Sequence, residues 1–483
     1  MNTLTRRELL QAFGAAPALL RAAAARPTDI RIDDVQLAYE DHRYRAPYQF
    51  GGRISAHVTL ANVTCTVRTG DGRVGRGRGT MPLGNQWAWP SSVLSHDETL
   101  GGMKTLAEAL VGVMKGYRES GHPIDIGVDL EAAFLAAAAE LAKHKRVPGP
   151  IPPLAVLVVA SPFDAAIHDA FGKIHGRSAY ATYGADLMRH DLSRYLGSDF
   201  KGEYPNRYLS EKPRPRTWLF HSIGGLDALV DSDLKTRLDD GLPETLPEWI
   251  AYNGLRRLKV KLNGGDLAAD VDRTARIHSV ADAEQKKRRV ENWAYCLDFN
   301  ERCPNVQYLL DYFAQVRKRA PGMLERVEYC EQPTSRDLQN DRANVMHEAN
   351  RIVPVLVDEG LTGLETLRLA RDMGYTGIAL KACKGQTQSV LMASAAKKYG
   401  MFRTVQDLTC PGAALIHSAG IAAHVPGAAG LEANARQYVP SANKLWEHRF
   451  PGLFKIKDGE LRNSELGGPG LGISTEERRT KKE

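Results

Sequence analysis

The sequence is poor in the features that mark fibrous, disordered, disulfide-rich and nucleic-acid-binding proteins. There are only 6 cysteines in 483 residues, and none has the spacing of a zinc site or a disulfide framework. The net charge of +7 is spread along the chain and forms no basic arm. With 43% hydrophobic and 25% charged residues, the balance is that of a globular protein, with enough core for two structural domains.

The scarce cysteines and the basic residues have ordinary interpretations. Cys296, Cys330 and Cys383 lie in or beside apolar runs and are interpreted as small buried thiols. The most basic run, EQKKRRVEN, is interpreted as a solvated helix face and not as a nucleic-acid-binding patch. The positive balance still favours an anionic small molecule as partner.

The amino terminus is the one place where a targeting segment is predicted. Residues 1–26 contain Arg6 and Arg7, then an apolar stretch and an alanine run, and resemble a twin-arginine export signal. We therefore expect an exported, periplasmic or extracytoplasmic protein, and a cytoplasmic one if the signal is not functional. The alternative is an amphipathic first helix of the mature fold. No later stretch is predicted to span a membrane.

Periodicity and turn residues divide the rest of the chain. Residues 28–180 are predicted as an α+β domain, 181–215 as an irregular linker, 216–440 as a second domain, and 441–475 as a segment that folds back on the first. Within the first domain, DHRYRAPYQFGGR and GTMPLGNQWAWPSS are predicted as loops. Trp87 and Trp89 in the second loop indicate either a packed-down loop or a lid over a ligand.

Three carboxylates follow apolar runs that are predicted as buried strands. Asp298 ends one run in YCLDFNE, Glu331 another in EYCEQP, and Asp358 a third in VPVLVDEG. About 25–35 residues with a helical pattern separate them, which is typical of consecutive units of a parallel barrel. We expect all three at one face, where they would form a site for a hard cation.

Lysines occur at strand positions on both sides of this trio. Lys259 and Lys261 are two residues apart in LRRLKVKLNGG, so they point to the same side of a strand. Lys381 ends a later apolar run, TGIALKACKG. Buried lysines beside carboxylates are costly unless they are paired or used, so the series predicts a metal site between two bases.

The remaining strand ends complete a barrel. Counting the run at Thr217 as the first, strands that end at Asp407 and Glu432 bring the number to eight. Asn300 is interpreted as a supporting residue and not as a ligand. Asp407 is expected either to pair with a lysine or to cap a helix, and Glu432 is interpreted as structural.

In this order, the motifs Lys-x-Lys, Asp-x-Asn, Glu-Gln-Pro and Asp-Glu, the next strand-end lysine and a terminal GPGLG resemble the enolase superfamily. Within it, the chain is most similar to mandelate racemase/muconate lactonizing enzyme-like proteins, in particular the muconate-lactonizing and dipeptide-epimerase subgroup. The resemblance implies an α/β fold, a modified TIM barrel (β/α)7β with an α+β capping domain, and a homo-oligomer.

The resemblance also implies roles for individual residues. Three would ligate one Mg²⁺ ion: Asp298, Glu331 and Asp358. Three would act in catalysis: Lys261 as one acid/base, Lys259 as its electrostatic neighbour, and Lys381 as the acid/base on the opposite face.

The chain departs from the family's pattern in two places. After Lys381 it has Gly-Gln-Thr where the family has paired glycines, and this leaves Lys384 open as the second acid/base. The seventh strand lacks the histidine of the mandelate-racemase branch, since His417 and His424 fall in a helical pattern.

The chemistry implied is removal of the proton α to a substrate carboxylate, through an enediolate. A neutral lysine is needed, and the charges of Lys259 and of the metal predict a lowered pKa for Lys261. Return of the proton on the opposite face would give a racemase or epimerase. Loss of a β-hydroxyl would instead give a dehydratase or other lyase acting on a hydroxy or sugar acid.

Two other classes remain as alternatives. A non-catalytic exported binding protein could keep the barrel and the cap, and a barrel metallohydrolase is disfavoured because the strand ends lack histidine. The expected partner is a small-molecule carboxylate. Its identity is not predicted, and the candidates for binding it are His42, Arg45, Trp87, His221 and Asp407.

Overall fold

A computed structural model describes residues 26–472. The predicted export signal therefore lies outside the described residues, apart from Arg26, and it stays a prediction.

The amino-terminal domain is built on an antiparallel sheet. Its three strands, in the order β1-β2-β3, are β1 (Ile30–Phe50), β2 (Arg53–Thr69) and β3 (Val74–Pro82). The loop predicted from DHRYRAPYQFGGR was wrong, because β1 runs through it and turns only at Gly51 and Gly52, both at positive φ. Residues 41–47 are all at least partly exposed. Because neither face of the strand is buried there, its apolar and polar residues do not alternate in the sequence.

Four helices accompany this sheet. They are α1 (Asn85–Ala88), α2 (His96–Gly116), α3 (Pro123–Lys143) and α4 (Pro153–Ile174). The apolar helix α4 packs against β3, where glycine allows a close approach: a Cβ atom on Gly79 would lie 1.9 Å from the carbonyl oxygen of Pro162. Trp87 and Trp89 are both buried, so the segment predicted as their loop is packed against the protein.

Helix α4 corrects one expectation. By length and composition it is long and apolar enough to cross a membrane, contrary to the prediction that no later stretch would be. Within the protein, 94% of its apolar window is buried, as in the core helix of a globular domain.

The second domain is a closed parallel barrel. Its eight strands are β4 (Arg216–Ile223), β5 (Arg257–Lys261), β6 (Ala294–Asp298), β7 (Val327–Glu331), β8 (Val355–Val357), β9 (Gly377–Lys381), β10 (Phe402–Gln406) and β11 (Leu431–Glu432). Each strand pairs in parallel with the next, and β11 pairs with β4 to close the ring. Together with the antiparallel domain, this confirms the predicted fold class.

The remaining helices are mostly between barrel strands. Before the barrel comes α5 (Ser193–Leu196). The helices that connect the barrel strands are α6 (Leu246–Asn253), α7 (Leu267–Lys287), α8 (Val306–Arg319), α9 (Ala349–Ile352), α10 (Leu364–Asp372), α11 (Gln386–Lys398) and α12 (Ala413–His424). After the barrel come α13 (Ala435–Tyr438), α14 (Lys444–Glu447) and α15 (Pro451–Phe454).

The segment after the barrel contacts both domains. Strand β12 (Glu460–Arg462) pairs antiparallel with β4 on the barrel. Further on, the backbone N–H of Leu471 donates to Asp169 Oδ1 on α4, over 2.8 Å. The segment therefore joins the first barrel strand to the core helix of the amino-terminal domain.

Candidate active site

The carboxyl ends of β5, β6 and β7 bring two lysines and two carboxylates together. Lys259 Nζ lies 3.0 Å from Asp298 Oδ2 and 2.8 Å from Glu331 Oε2. Lys261 Nζ donates to the same Asp298 oxygen. All four side chains are buried, so their charges interact at low local dielectric. The prediction that the two lysines point to one side of their strand agrees with these contacts.

A second pair of lysines holds Asp358, which directly follows β8. Lys381 Nζ lies 2.9 Å from Asp358 Oδ2, and Lys384 Nζ lies 3.1 Å from Asp358 Oδ1. Burial raises the pKa of Asp358, but the two ammonium groups outweigh it and hold that pKa at about 2. Both candidates for the second acid/base thus contact the same carboxylate.

The two lysine groups lie on opposite sides of the barrel. Lys261 ends β5, the second barrel strand, and Lys381 ends β9, the sixth. In a closed ring of eight strands, these two are four positions apart in either direction. Side chains at their carboxyl ends therefore face each other across the barrel opening.

Trp87 from the amino-terminal domain completes this opening. Its indole N–H donates to Glu359 Oε1 over 2.9 Å, and Lys381 Nζ lies 4.6 Å from its ring centroid. The other donor to Glu359 is Asn300 Nδ2, at 3.2 Å. Trp87 is the predicted substrate-binding residue that the structure does place beside the lysines.

Two residues of this site were not predicted to take part in it. Glu432, interpreted from the sequence as structural, accepts from Lys259 Nζ over 2.7 Å. Gln406 donates from Nε2 to Glu331 Oε2. Both end barrel strands in the same series as the carboxylates, so their position along the chain was the signal that could have identified them.

The backbone is strained next to the acidic strand ends. Asn300, Glu301 and Gln332 all have positive φ, at 43°, 62° and 28°. Residues other than glycine adopt such angles where surrounding contacts compensate the cost, and they cluster at functional sites.

The lysines are more strongly protonated than the sequence predicted. Burial lowers the pKa of Lys261, but the Asp298 carboxylate, together with Tyr48 and Glu432, outweighs burial and the opposing charge of Lys259, so this pKa is raised overall. The pKa of Lys381 is also raised, since Asp358 and Glu331 together outweigh burial. The prediction of a lowered pKa for Lys261 therefore does not hold for the protein's own charges, because it left Asp298 out.

The carboxylates at this end of the barrel outnumber the lysines. Six are buried there: Asp298, Glu331, Asp358, Glu359, Asp407 and Glu432. Four lysines accompany them: Lys259, Lys261, Lys381 and Lys384. Burial and the nearby Asp358 charge raise the pKa of Glu359 to about 7, and burial with Glu432 raises that of Asp407 to about 7. With all ten groups ionised, the excess negative charge would equal that of one divalent cation, but burial and mutual repulsion oppose full ionisation of the carboxyl groups.

Buried oxygen atoms without hydrogen-bond partners also indicate a place for a cation. Glu331 Oε1, Glu359 Oε2 and Asn300 Oδ1 are buried and accept no hydrogen bond. Within residues 26–472, no three Asp, Glu, His or Cys side chains are gathered closely enough to hold a metal ion as they stand, and Lys259 lies between Asp298 and Glu331. The donor set itself, made of hard oxygens, fits Mg²⁺.

The other predicted substrate-binding residues lie elsewhere or have different partners. His42 Nε2 bonds Glu40 on the same strand, over 2.8 Å. Asp407 neither pairs with a lysine nor caps a helix, since its Oδ2 accepts from the backbone N–H of Cys410 and of Asn434, each over 3.2 Å. Arg45 and His221 line a separate cavity.

Comparison with known proteins agrees with this architecture. The family described as Enolase C-terminal domain-like matches residues 242–479, which include most of the barrel. No curated protein is similar enough to match.

Several solved structures share the fold at low sequence identity. A muconate lactonizing enzyme from Pseudomonas fluorescens, complexed with muconolactone, has 16% identity and a TM-score of 0.56, over 92% of this chain and 96% of that one. A dipeptide epimerase from Enterococcus faecalis, complexed with Mg and a dipeptide, has 15% identity and a TM-score of 0.59, over 92% and 99%. A mandelate racemase/muconate lactonizing protein from Herpetosiphon aurantiacus has 19% identity and a TM-score of 0.61, over 94% and 100%.

Proposed function

The barrel of this chain belongs to the enolase C-terminal domain-like family, and on that premise we propose that the protein is an enzyme that removes the proton α to a substrate carboxylate. The reaction we propose is racemisation or epimerisation of a small carboxylic acid. The observation that carries it is the pair of lysines, Lys261 and Lys381, at opposite sides of one acidic barrel opening.

Opposite lysines support a two-base reaction. A substrate carbon held between them can lose its proton to one lysine and regain a proton from the other, which inverts the centre. Trp87 covers Lys381 from the amino-terminal domain and keeps bulk water from this side. Lys259 is held by three carboxylates, so it stays charged and acts as a fixed positive neighbour to Lys261.

We propose Asp298, Glu331 and Asp358 as the residues that would hold one Mg²⁺ ion. When bound, the ion supplies positive charge that stabilises the negative charge that develops on the substrate carboxylate. Asn300 and Gln406 would orient two of these ligands, through the Asn300 backbone N–H to Asp298 Oδ1 at 2.8 Å and the Gln406 amide to Glu331.

The test is proton NMR in D₂O with Mg²⁺ and separate enantiomers of hydroxy acids, sugar acids and dipeptides. We expect exchange of the α-hydrogen to need Mg²⁺. Lys261→Ala should lower the rate of α-hydrogen exchange from one enantiomer, and Lys381→Ala the rate from the other. We expect each rate to fall by about 10²–10⁴-fold. Lys286→Ala, at an exposed position on α7, is the matched control and should exchange like the parent.

The outcomes separate the candidate functions. Inverted product supports the racemase or epimerase, whereas a keto or dehydrated product would assign a lyase. Exchange that persists unchanged in both lysine variants would contradict the proposal. If Lys384→Ala, and not Lys381→Ala, removes exchange from the second enantiomer, Lys384 takes the second role.

A further inference from the structure

Arg45 and His221 line a cavity of about 280 Å³ that lies outside the barrel wall. Along β4, Phe220 packs inside the barrel with Cys296 and Tyr329, so the next residue, His221, points outward. There the His221 ring lies 5.4 Å from that of Trp249 on α6. Five parts of the fold form the cavity walls: β1, β4, the β4–α6 loop, α6 and α13.

The cavity is separated from the catalytic lysines by a pair of tyrosines. Tyr438 lines the cavity and packs against Tyr48, with ring centroids 4.4 Å apart and the ring planes tilted by 33°. The Tyr48 hydroxyl bonds Ser222 Oγ on the inner side of β4, over 3.0 Å. A molecule in the cavity would therefore be outside the acidic opening of the barrel.

His221 and Gln437 both bring polar atoms without hydrogen-bond partners to this cavity. His221 is 3% exposed, and none of the described hydrogen bonds or ion pairs involves its ring. Burial lowers its pKa to about 3, so the imidazole is neutral at physiological pH and offers one donor and one acceptor nitrogen. Gln437 also lines the cavity. Its Oε1 is buried and accepts no hydrogen bond, whereas its Nε2 donates to the carbonyl oxygen of Ser222. The Gln437 oxygen is therefore costly to leave unpaired, and the nitrogens of His221 beside it are available to a bound molecule.

The charged groups around the cavity are already matched. Arg45 is held by Asp240 and by the carbonyl oxygens of Leu242 and Pro243. The acidic groups also have partners: Asp227 with the Tyr438 hydroxyl, Asp233 with Arg276, and Glu244 with the backbone N–H of Leu238. Lys235 is exposed to solvent. The rest of the lining is largely apolar: Ala46, Pro47, Ile223, Leu226, Ala228, Leu234, Leu238, Leu246 and Trp249.

We propose that this cavity is a second binding site, for an uncharged small molecule with an aromatic or apolar body and one hydroxyl or amide group. The apolar walls receive the body, and His221 with Gln437 receives the polar group. A carboxylate is disfavoured because, of the two cations that line the cavity, Arg45 is already paired with Asp240 and Lys235 is exposed to solvent. The site is independent of the proposed reaction, so its test does not depend on turnover.

Phenol is a suitable probe, with benzoate as the charged comparison of similar shape. We expect saturable phenol binding to the full chain in an NMR titration, and binding of benzoate at least tenfold weaker. His221→Phe keeps the ring but removes both nitrogens and should weaken phenol binding about tenfold. His144→Phe, at an exposed histidine on the amino-terminal domain, should leave it unchanged.

A second variant covers the case in which His221→Phe does not fold. Leu226 is 52% exposed at the cavity wall, so Leu226→Trp can fill the space without disturbing the core and should also weaken phenol binding about tenfold. Phenol binding that does not saturate, or that is equal in the parent and both folded variants, would overturn the proposal. Equal affinity for benzoate would overturn the assignment to an uncharged ligand.

Discussion

Lys261 and Lys381 are each held by a carboxylate that is also proposed to bind the cation. Asp298 contacts Lys261, and Asp358 contacts Lys381 and Lys384. Binding of a cation to those carboxylates would weaken their hold on the ammonium groups and lower the pKa of both bases. Asp298 and Asp358 would therefore also control how readily Lys261 and Lys381 lose a proton.

At the scale of single residues, Trp87 makes two contacts that substitutions can separate. Its N–H bonds Glu359, and its ring lies over Lys381. Trp87→Phe keeps a ring and should lower α-proton exchange about tenfold, whereas Trp87→Leu removes both contacts and should lower it about a hundredfold. The measurement is the NMR exchange rate at saturating Mg²⁺.

The matched control for Trp87 is Trp89→Phe. Trp89 is buried in the same segment, but its ring packs near Gly102 on α2. Equal losses in Trp87→Phe and Trp89→Phe would show that general packing, and not the bond to Glu359, accounts for the effect.

At the scale of elements, the start of α11 is bound to the core helix α4. Asp164 on α4 accepts from the backbone N–H and the hydroxyl of Thr387, each over 2.7 Å. His168 Nε2 lies 2.9 Å from the same hydroxyl, and Gln386 bonds Tyr183 over 3.1 Å. Gln386 and Thr387, where the sequence departs from the pattern that the resemblance implies, thus join the barrel to the amino-terminal domain shortly after Lys384.

Thr387→Val should destabilise the protein by about 1–3 kcal/mol. The variant has a similar shape but leaves Asp164 Oδ1 and His168 Nε2 buried without this partner. Chemical denaturation monitored by circular dichroism measures the change. Thr105→Val is the control, since that hydroxyl bonds only the preceding turn of α2 and is at an exposed site. A loss no larger than that of the control would contradict this role.

Glu131 on α3 gives a prediction about pH. Burial, and then the charge of Asp164, raise its pKa to about 7. Because the folded-state pKa lies above the ordinary value of 4.5, the carboxyl costs no stability below pH 4.5 and costs more as the pH rises through 7. Glu131→Gln should therefore raise the melting temperature at pH 8 and leave it unchanged at pH 4.5.

The expected gain from Glu131→Gln is at most about 1 kcal/mol, because the side chain is partly open to solvent. Glu140→Gln, at an exposed position on the same helix, should change stability little at either pH. A gain of equal size at both pH values would rule out titration as the cause.

The accuracy of the sequence predictions depended on how local each signal was. Strand ends carrying Asp298, Glu331 and Asp358 were identified because apolar runs of fixed spacing precede them. The course of β1 was missed because polar residues such as Asp41, His42 and Arg43 are stabilised by pairing with Thr59, Val58 and His57 on β2, which the local sequence pattern does not show. Arg45 and His221 were predicted to bind the substrate, but they line a separate cavity, and their placement there depends on how the two domains pack.

At the scale of the whole molecule, both domains are joined by the segment after the barrel. Gly470 has φ +72°, and a Cβ atom there would lie 2.2 Å from Asp169 Oδ1 on α4. Gly470→Ala should destabilise the protein by about 1–3 kcal/mol, through backbone strain and loss of the bond between Asp169 and Leu471.

Gly468→Ala is the matched control for this position. Gly468 is partly exposed, and an added Cβ would meet nothing within 4 Å. Melting curves of the two variants should therefore differ by several degrees. Identical curves would show that this segment does not hold the domains together.

The position of this segment in the chain also affects folding during translation. Residues 460–471 leave the ribosome after both domains, yet they pair with the first barrel strand and with the core helix of the amino-terminal domain. Each domain can begin to fold while the chain is still growing. The contacts of this segment can form only after most of both domains has been made, when the bonds of Trp87 with Glu359 and of Thr387 with Asp164 can already join them.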